Sequence, residues 1–172
     1  MIFAVILAGF VLLFGFVVFR GAPYVPSHHN EAKGAFEELY ALTSKDVLVD
    51  VGSGDGIILR LAAIRGAQAV GYELNPALVL ISRFLCRKDK NIHTILADFW
   101  LKDLPDNTTI VYAFGVSRDR SKLEEKIQKE ATRLNRTLYL MTYGSALKTK
   151  KELRMRRGHH LYEFTPLQED EA

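Results

Sequence analysis

The chain has only one cysteine, Cys86, among its 172 residues, and this scarcity excludes a fold stapled by disulfides. No pair of cysteines and no cluster of histidine and aspartate stands at metal-ligand spacing. The pairs His28-His29 and His159-His160 are chain neighbours, whose side chains do not face one another. We therefore expect no metal site. We interpret Cys86 as a packed helix residue because it lies in an apolar helical pattern.

A strong excess of either charge is also missing. The chain has 23 Lys and Arg against 20 Asp and Glu, which gives a net charge of +3. This balance lacks the strong basic excess typical of nucleic-acid-binding domains, so we do not expect a nucleic-acid partner. The length suits one folded domain with a core of its own.

Residues 2–19 lack charge altogether and form an uninterrupted run of apolar residues and glycine. At ~1.5 Å of rise per residue, a helix of this length spans about 27 Å, close to the hydrocarbon thickness of a bilayer. A cleaved signal peptide, the main alternative, would have a basic start and a shorter apolar run. Here Arg20 follows the run instead. We predict a retained transmembrane anchor over residues 1–20.

A short connector over residues 21–29 follows the anchor. Its segment Pro23-Tyr24-Val25-Pro26-Ser27 contains two prolines, which exclude a helix. The cations Arg20 and Lys33 near the run point to a cytoplasmic C-terminal domain, because positive residues favour the cytoplasmic side. Residues 30–172 would form that domain.

Strand and helix patterns alternate through most of this domain. β-Branched and apolar runs predict strands at about 46–51, 68–73, 92–97, 109–114 and 137–142. Apolar stripes at helical spacing predict helices at about 30–43, 56–65, 76–88 and 119–134. Repeated β-α units of this length predict an α/β fold with a Rossmann-like, doubly wound, mostly parallel sheet that is covered on both faces.

The most informative motif is Val-Asp-Val-Gly-Ser-Gly-Asp-Gly at residues 49–56. Glycines let a turn adopt positive φ and let a ligand lie against the backbone, and the next helix offers unpaired N–H groups. A dinucleotide fingerprint would need a glycine at Ile57. The pattern D-x-G-x-G-x-G instead resembles motif I of class I S-adenosylmethionine (SAM) methyltransferases. The alternative is a plain tight turn with chance glycines.

Acids end three successive predicted strands, at Asp50, Glu73 and Asp98. Glu73 follows Asp50 by about 20 residues, the distance at which a carboxylate binds ribose hydroxyls. The resemblance implies that Asp50 faces the amino group of SAM, that Asp98 accepts from the adenine amino group and that Phe99 flanks the ring. Each acid alone could instead be a turn residue or a helix cap. The candidate cofactor-binding residues are Tyr24, Pro26, Asp50, Gly52, Ser53, Gly54, Asp55, Gly56, Glu73, Leu74, Asn75, Asp98 and Phe99.

The fourth predicted strand ends in Tyr112-Ala113-Phe114-Gly115-Val116. In a methyltransferase of this class, that strand end faces the methyl group and its acceptor. Tyr24, Tyr112 and Phe114 are therefore candidate walls of a narrow acceptor channel, because aromatic faces attract cations. The alternative is that Tyr112 and Phe114 belong to the core of the strand. The sequence indicates no catalytic residue and no general base.

The apolar anchor, the Pro-Tyr-Val-Pro-Ser segment, the following helix and D-x-G-S-G-D-G together resemble one group of proteins. It is the membrane-anchored seven-β-strand lysine methyltransferases that modify the ATP synthase c-subunit and the adenine nucleotide carrier, with their prokaryotic relatives. The resemblance implies that the proline segment folds over the methionine end of SAM. It also implies methyl transfer to an accessible lysine of a membrane-associated protein.

The C-terminal end departs from the plan of this superfamily. Class I methyltransferases usually close their sheet with an antiparallel hairpin of two strands. After residue 142 this chain has room for one strand, at about 160–165, because residues 147–157 are dense in Lys and Arg. We therefore expect a shortened C-terminal end.

Two other functions stay open at this point. The enzyme could methylate a lipid or a lipophilic small molecule, or the chain could be a non-enzymatic, membrane-tethered nucleotide- or SAM-binding module. The expected location is the prokaryotic plasma membrane, with the mitochondrial inner membrane as the alternative. Two groups of basic residues could rest on anionic lipid or form an ordinary solvated surface. They are Arg83, Arg87, Lys88 and Lys90, and Lys148, Lys150, Lys151, Arg154, Arg156 and Arg157.

Overall fold

Strands and helices alternate along the chain in the computed structural model, which describes residues 29–115 and 118–167. In chain order the elements are α1 (His29–Glu38), β1 (Val47–Val51), α2 (Ile57–Ala63), β2 (Gln68–Glu73), α3 (Pro76–Cys86), β3 (Ile92–Leu96), a 3-10 turn (Phe99–Leu101), β4 (Ile110–Phe114), α4 (Arg120–Arg133), β5 (Leu138–Tyr143), β6 (Arg154–Arg156) and β7 (His159–Phe164).

The seven strands form one sheet in the order β3-β2-β1-β4-β5-β7-β6. Strands β1 to β5 run parallel, whereas β7 is antiparallel to β5 and β6 is antiparallel to β7. The strand order reverses between β1 and β4, which makes their carboxyl ends the switch point where doubly wound sheets bind ligands. The predicted Rossmann-like, mostly parallel sheet is confirmed.

Helices α1, α2 and α3 cover one face of the sheet. Asp50, Gly71 and Tyr112 pair across β1, β2 and β4, so their side chains share this face. Its core includes Phe36 of α1 and Leu59 of α2, together with Tyr112. On the opposite face, α4 buries apolar side chains against β4, β5 and β7: Leu123, Ile127, Ala131, Val111, Leu138 and Phe164.

Helix α1 begins at the edge of the sheet where the parallel strands end. The hydroxyl of Tyr143, the last residue of β5, donates to Glu31 Oε2 at 2.6 Å. Just beyond the other end of α1, the hydroxyl of Tyr40 donates to Asp46 Oδ1 at 2.8 Å, directly before β1 begins. The chain therefore enters the described domain at the carboxyl edge, close to the switch point.

Helix α1 ends at Glu38, earlier than the predicted limit at residue 43. The Asp46 carboxylate accepts bonds from the Thr43 amide at 2.8 Å and the Thr43 hydroxyl at 2.9 Å, in addition to Tyr40. These bonds favour a closed loop over a further helical turn. Leu42 is still buried in that loop, so its apolar signal reports packing rather than helix.

The expectation of a shortened C-terminal end is wrong, because the structure contains two strands after residue 142. β6 and β7 form an antiparallel hairpin whose connecting residues, Arg157 and Gly158, both have positive φ, at 44° and 80°. Two such residues are typical of a tight hairpin turn. β6 has only three residues, two of them arginines, so it carries no apolar alternation that the sequence could reveal.

The predicted transmembrane anchor over 1–20 lies outside the described residues, as do Tyr24 and Pro26 of the connector. Within 29–115 and 118–167, no helix has the length and apolar character needed to cross a bilayer.

Gly71 allows the turn after β1 to pack against β2. A Cβ at this position would come within 2.6 Å of Ser53 Cβ and 2.8 Å of Leu59 Cδ1. We expect Gly71→Ala to lower the free energy of unfolding by about 1–3 kcal/mol, because the core around it has no spare room. Chemical denaturation of the two proteins measures this difference.

Gly34→Ala provides the matched control. A Cβ at Gly34 would meet only the end of the flexible Arg156 side chain, and alanine favours the helical backbone of α1. We expect its effect to be small, and equal losses from both substitutions would contradict the packing role of Gly71.

Candidate functional site

The turn after β1 leaves open space in front of the sheet. The amides of Gly52 and Ser53 both donate to the carbonyl of Tyr72, at 2.9 and 3.1 Å, which ties the turn to β2. Gly52 has a φ of 74°, and no described atom lies within 4 Å of the position that a Cβ would take. The same holds at Gly115 after β4. We call this open space at the switch point the crevice; at Gly52 and Gly115 its surface is backbone without a side chain.

Glu73, at the end of β2, holds this crevice together. Its carboxylate accepts a bond from the Gly54 amide at 2.9 Å and another from the Asn75 amide at 2.7 Å. The Asn75 side chain in turn accepts from the Ala77 amide at 3.0 Å and caps α3. Only 8% of Glu73 is exposed. Because a carboxylate has about four acceptor positions, two remain for further donors.

Asp50 is a buried acid on β1 beside the crevice, with 3% of its surface exposed. Burial, together with the nearby negative charges of Glu73 and Asp55, raises the pKa of its carboxyl to about 8. A carboxyl in this position favours a proton or another cation. The crevice is therefore electrostatically suited to a ligand with positive charge.

Three other residues of the turn make contacts that shape it. Asp55 accepts from the Ile57 amide at the start of α2, at 3.2 Å, and forms an ion pair with Arg60 at 3.4 Å. Ser53 is buried against Gly71. A Cβ at Gly56 would strike the Ser82 hydroxyl of α3. These contacts are structural, and cofactor contacts from Ser53, Asp55 and Gly56 stay predictions.

Beyond β3, Asp98 caps the 3-10 turn by accepting a bond from the Trp100 amide at 2.9 Å. Phe99 is buried, with its ring 6.4 Å from that of Tyr72, so the structure gives it a packing role. Leu74 is half-buried beside the Glu73 carboxylate. Contacts of Leu74, Asp98 and Phe99 with adenine also stay predictions.

The aromatic candidates for the acceptor channel differ in their surroundings. Tyr112 is fully buried, and its hydroxyl lies 3.1 Å from His159 Nε2. Phe114 is half-buried at the carboxyl end of β4 and stacks on Tyr143, with 5.2 Å between ring centroids. Tyr112 therefore belongs to the core, as the alternative interpretation had it, while Phe114 lies at the strand end nearer the crevice. Tyr24 lies outside the described residues.

His159 is a buried residue that sequence reasoning missed. Its ring stacks on Tyr143 at 4.3 Å and contacts the Tyr112 hydroxyl. Burial lowers its pKa to about 4, so it is neutral near pH 7. One sequence feature could have indicated its burial. His159 is the first residue of β7, on which side chains alternate between the two faces of the sheet, and it lies on a buried face.

Within the described residues, no group of three or more His, Cys, Asp or Glu side chains is arranged to hold a metal ion.

Comparison with known families gives a match over most of the sheet. Residues 50–140 match the family described as the ANTKMT methyltransferase domain. The match covers the glycine turn, Glu73 and Asp98.

Two curated relatives are both named as the lysine N-methyltransferase of the ATP synthase c-subunit. The protein from Xenopus laevis is 41% identical over 111 residues, which cover 63% of this chain and 48% of the relative. The human protein is 38% identical over 112 residues, which cover 63% and 46%. The chain thus spans about half the length of the curated relatives that it matches.

A solved structure shares the fold of the whole domain. It is an RNA methyltransferase from Salinibacter ruber in complex with S-adenosyl-L-homocysteine. The two structures superimpose with a TM-score of 0.72 over 86% of this chain and 98% of the other, at 24% sequence identity. At this identity the likeness establishes the fold alone.

The raised pKa of Asp50 makes stability depend on pH. In the unfolded chain this carboxyl titrates near 4, so between about pH 4 and 8 the folded protein binds the extra proton. The contribution of Asp50 to stability must therefore fall as pH rises through this window. Between pH 6.5 and 8.5 we expect a loss of roughly 2 kcal/mol, and we expect Asp50→Asn to remove it. Denaturation of both proteins at each pH tests this, and identical pH dependence would contradict it.

Proposed function

The chain belongs to the ANTKMT methyltransferase domain family, and from this membership we propose that it transfers a methyl group from SAM to a lysine of a membrane-associated protein. Membership agrees with the resemblance drawn from D-x-G-S-G-D-G and the Pro-Tyr-Val-Pro-Ser segment. The similar proteins from Xenopus laevis and human, named as lysine N-methyltransferases of the ATP synthase c-subunit, support lysine as the acceptor.

The observation that carries the proposal is the acidic crevice at the ends of β1 and β4. SAM has an ammonium and a sulfonium, and it has ribose hydroxyls that donate hydrogen bonds. The buried carboxyls of Asp50 and Glu73 match those groups in charge and in donor-acceptor sense. The open space above Gly52 allows a ligand to lie against the backbone. Because SAM has no phosphate group, its binding requires no phosphate-binding residues.

We assign the following roles to the residues of the crevice. The free acceptor positions of Glu73 bind the two ribose hydroxyls, and Asp50 faces the ammonium directly or through water. Asp98 accepts from the adenine amino group, and Leu74 and Phe99 flank the ring. The other members of the lining are Tyr24, Pro26, Gly52, Ser53, Gly54, Asp55, Gly56 and Asn75.

SAM supplies an electrophilic methyl group bonded to a positive sulfur. The new bond forms between the lysine nitrogen and this carbon as the carbon–sulfur bond breaks, and the amine then loses a proton. The protein must align the amine with that carbon and exclude water. Because a lysine in water has a pKa near 10.4, a desolvating aromatic wall at Phe114 would favour the neutral, reactive amine. Phe114 stacks on Tyr143, and Tyr143 stacks in turn on His159, which is neutral near pH 7.

We propose that residues 2–19 anchor the enzyme in the bilayer and that the connector brings its crevice close to the membrane. A connector of about ten residues keeps the domain within a few nanometres of the surface. Helix α1 begins at the carboxyl edge of the sheet, beside the crevice, which supports contact between the connector and bound SAM. The compartment would be the prokaryotic plasma membrane or the mitochondrial inner membrane.

SAM binding tests the site directly. We expect calorimetric titration of the full chain with SAM to give micromolar binding, and we expect Glu73→Ala to abolish it because both ribose acceptors and the support of the turn are lost. Glu125→Ala is the matched control, since Glu125 is an exposed acid on α4. Circular dichroism shows whether each variant is folded. The proposal fails if the unaltered chain does not bind SAM.

Transfer of labelled methyl tests the acceptor. Incubation of the full chain and methyl-labelled SAM with washed membranes should label a protein band, and amino-acid hydrolysis should recover the label as methyl-lysine. Purified ATP synthase c-subunit is the first defined acceptor to test, because the named relatives act on it. Label recovered in extracted lipid instead would favour the alternative of a lipid methyltransferase.

A further inference from the structure

Helix α3 carries its large apolar side chains on the wrong side for a core helix. Its inward-facing residues are small or polar, namely Val79, Ser82 and Cys86. Its outward-facing residues are Leu80, Ile81, Phe84 and Leu85, which are 66%, 47%, 63% and 45% exposed. A helix on the surface of a soluble domain normally has the reverse arrangement.

The exposed apolar surface extends onto the edge strand β3. The Thr94 hydroxyl lies 2.7 Å from the Ser82 hydroxyl, which shows that this side of β3 faces α3. Leu96 lies two residues further on the same side, and it is 53% exposed. We call this set of five residues the α3 apolar face: Leu80, Ile81, Phe84, Leu85 and Leu96. Exposed large apolar side chains grouped in this way are typical of an interaction site.

Basic residues surround the α3 apolar face. Arg83, Arg87, Lys88 and Lys90 are all exposed, and Asp89 is the one acid within residues 76–90. The Arg87 guanidinium lies 4.1 Å from the centre of the Phe84 ring and donates to the Phe84 carbonyl at 2.6 Å. Arg83 donates to the Thr94 carbonyl at 2.9 Å. The two arginines are thus held beside the apolar side chains.

We propose that the α3 apolar face docks on the surface of a bilayer that contains anionic lipid. An amphipathic helix lies in the membrane interface when its apolar side chains enter the acyl boundary and basic residues reach the headgroups. Long basic side chains can keep their charge at the headgroups while their stems cover apolar surface. The sequence left open whether these cations rest on lipid, and the apolar side chains between them favour lipid over water.

Two other occupants explain the surface less well. In a symmetric dimer of this chain, the patch would face a copy of itself, which has four cations but only Asp89 as an acid within residues 76–90 and therefore offers few counter-charges. Residues 2–19 have no charge, so they could cover the apolar side chains but would leave the cations without counter-charges. An anionic bilayer surface satisfies both features together.

Docking through α3 would also orient the domain. α3 begins at Pro76, directly after its cap Asn75, whose amide donates to Glu73 at the crevice, and its 11 residues span about 16 Å. A helix held flat at the interface would fix the distance between the crevice and the headgroups. This inference concerns membrane contact and does not depend on the identity of the ligand in the crevice.

Membrane depth measured by a nitroxide label tests the proposal. The full chain would carry the label at Leu85→Cys in a Cys86→Ala background, or at Glu125→Cys on α4 in the same background as the control. Each protein is reconstituted into vesicles of phosphatidylcholine alone or mixed with phosphatidylserine. In the mixed vesicles, we expect the label at residue 85 to collide more often with oxygen and less often with an aqueous nickel complex. The ratio of the oxygen to the nickel collision rate should rise severalfold. The label at residue 125 should stay aqueous in both.

Charge substitutions provide the second measurement. Lys88→Gln and Lys90→Gln should each lower the ratio of docked to undocked label at residue 85 by roughly fivefold in the mixed vesicles. Lys45→Gln and Lys129→Gln, at exposed lysines away from α3, should leave it unchanged.

Two results would overturn the proposal. One is a label at residue 85 that stays as accessible to nickel as the label at residue 125. The other is a label at residue 85 that is inaccessible to both oxygen and nickel even in vesicles without phosphatidylserine. Such a label would be covered by protein rather than by lipid. SAM titration of the same proteins reports on the crevice separately, so failure of docking is distinguishable from failure of the proposed function.

Discussion

The rest of the structure depends on the buried carboxylate of Glu73. It joins the glycine turn after β1 to the loop that starts α3, through two backbone amides that would otherwise lack acceptors in a buried setting. A buried amide without an acceptor destabilises the fold by more than a typical hydrogen bond stabilises it. The Glu73 side chain therefore determines the shape of the crevice. The same carboxylate is proposed to bind the cofactor. Glu73 would therefore both hold the glycine turn in place and contact the ligand.

That arrangement concentrates negative charge where little water can screen it. The pKa of Asp50 is raised, first because its carboxyl is buried and then because Glu73 and Asp55 are close, so its ionised form is unfavourable until a cation binds. A cationic cofactor would relieve the repulsion, whereas an anionic dinucleotide would increase it. The electrostatics of the crevice and the glycine spacing thus argue for the same class of ligand, although they arise from different residues.

Much of the fold could be predicted because the strand and the helix of each β-α unit have recognisable short-range sequence patterns. The five parallel strands were predicted to within one residue at either end, since each contains a short run of mainly apolar or β-branched residues. The strand predicted at about 160–165 is β7, whereas its partner β6 was not predicted because a basic edge strand of three residues has no such pattern. His159 escaped because its neighbours in space, Tyr112 and Tyr143, come from other strands.

The sequence by itself determined the order of elements, the glycine turn and the three acids at strand ends, because these follow from short-range patterns and chain order. Only the tertiary structure decided which side chains face inward. It buried Tyr112 and Phe99 in the core, assigned Asp55 to the start of α2 and turned Leu80 and Leu85 of α3 outward. These outcomes depend on contacts between segments that are distant in the chain, such as the close approaches at Gly56 and Gly71, and such contacts leave no local pattern.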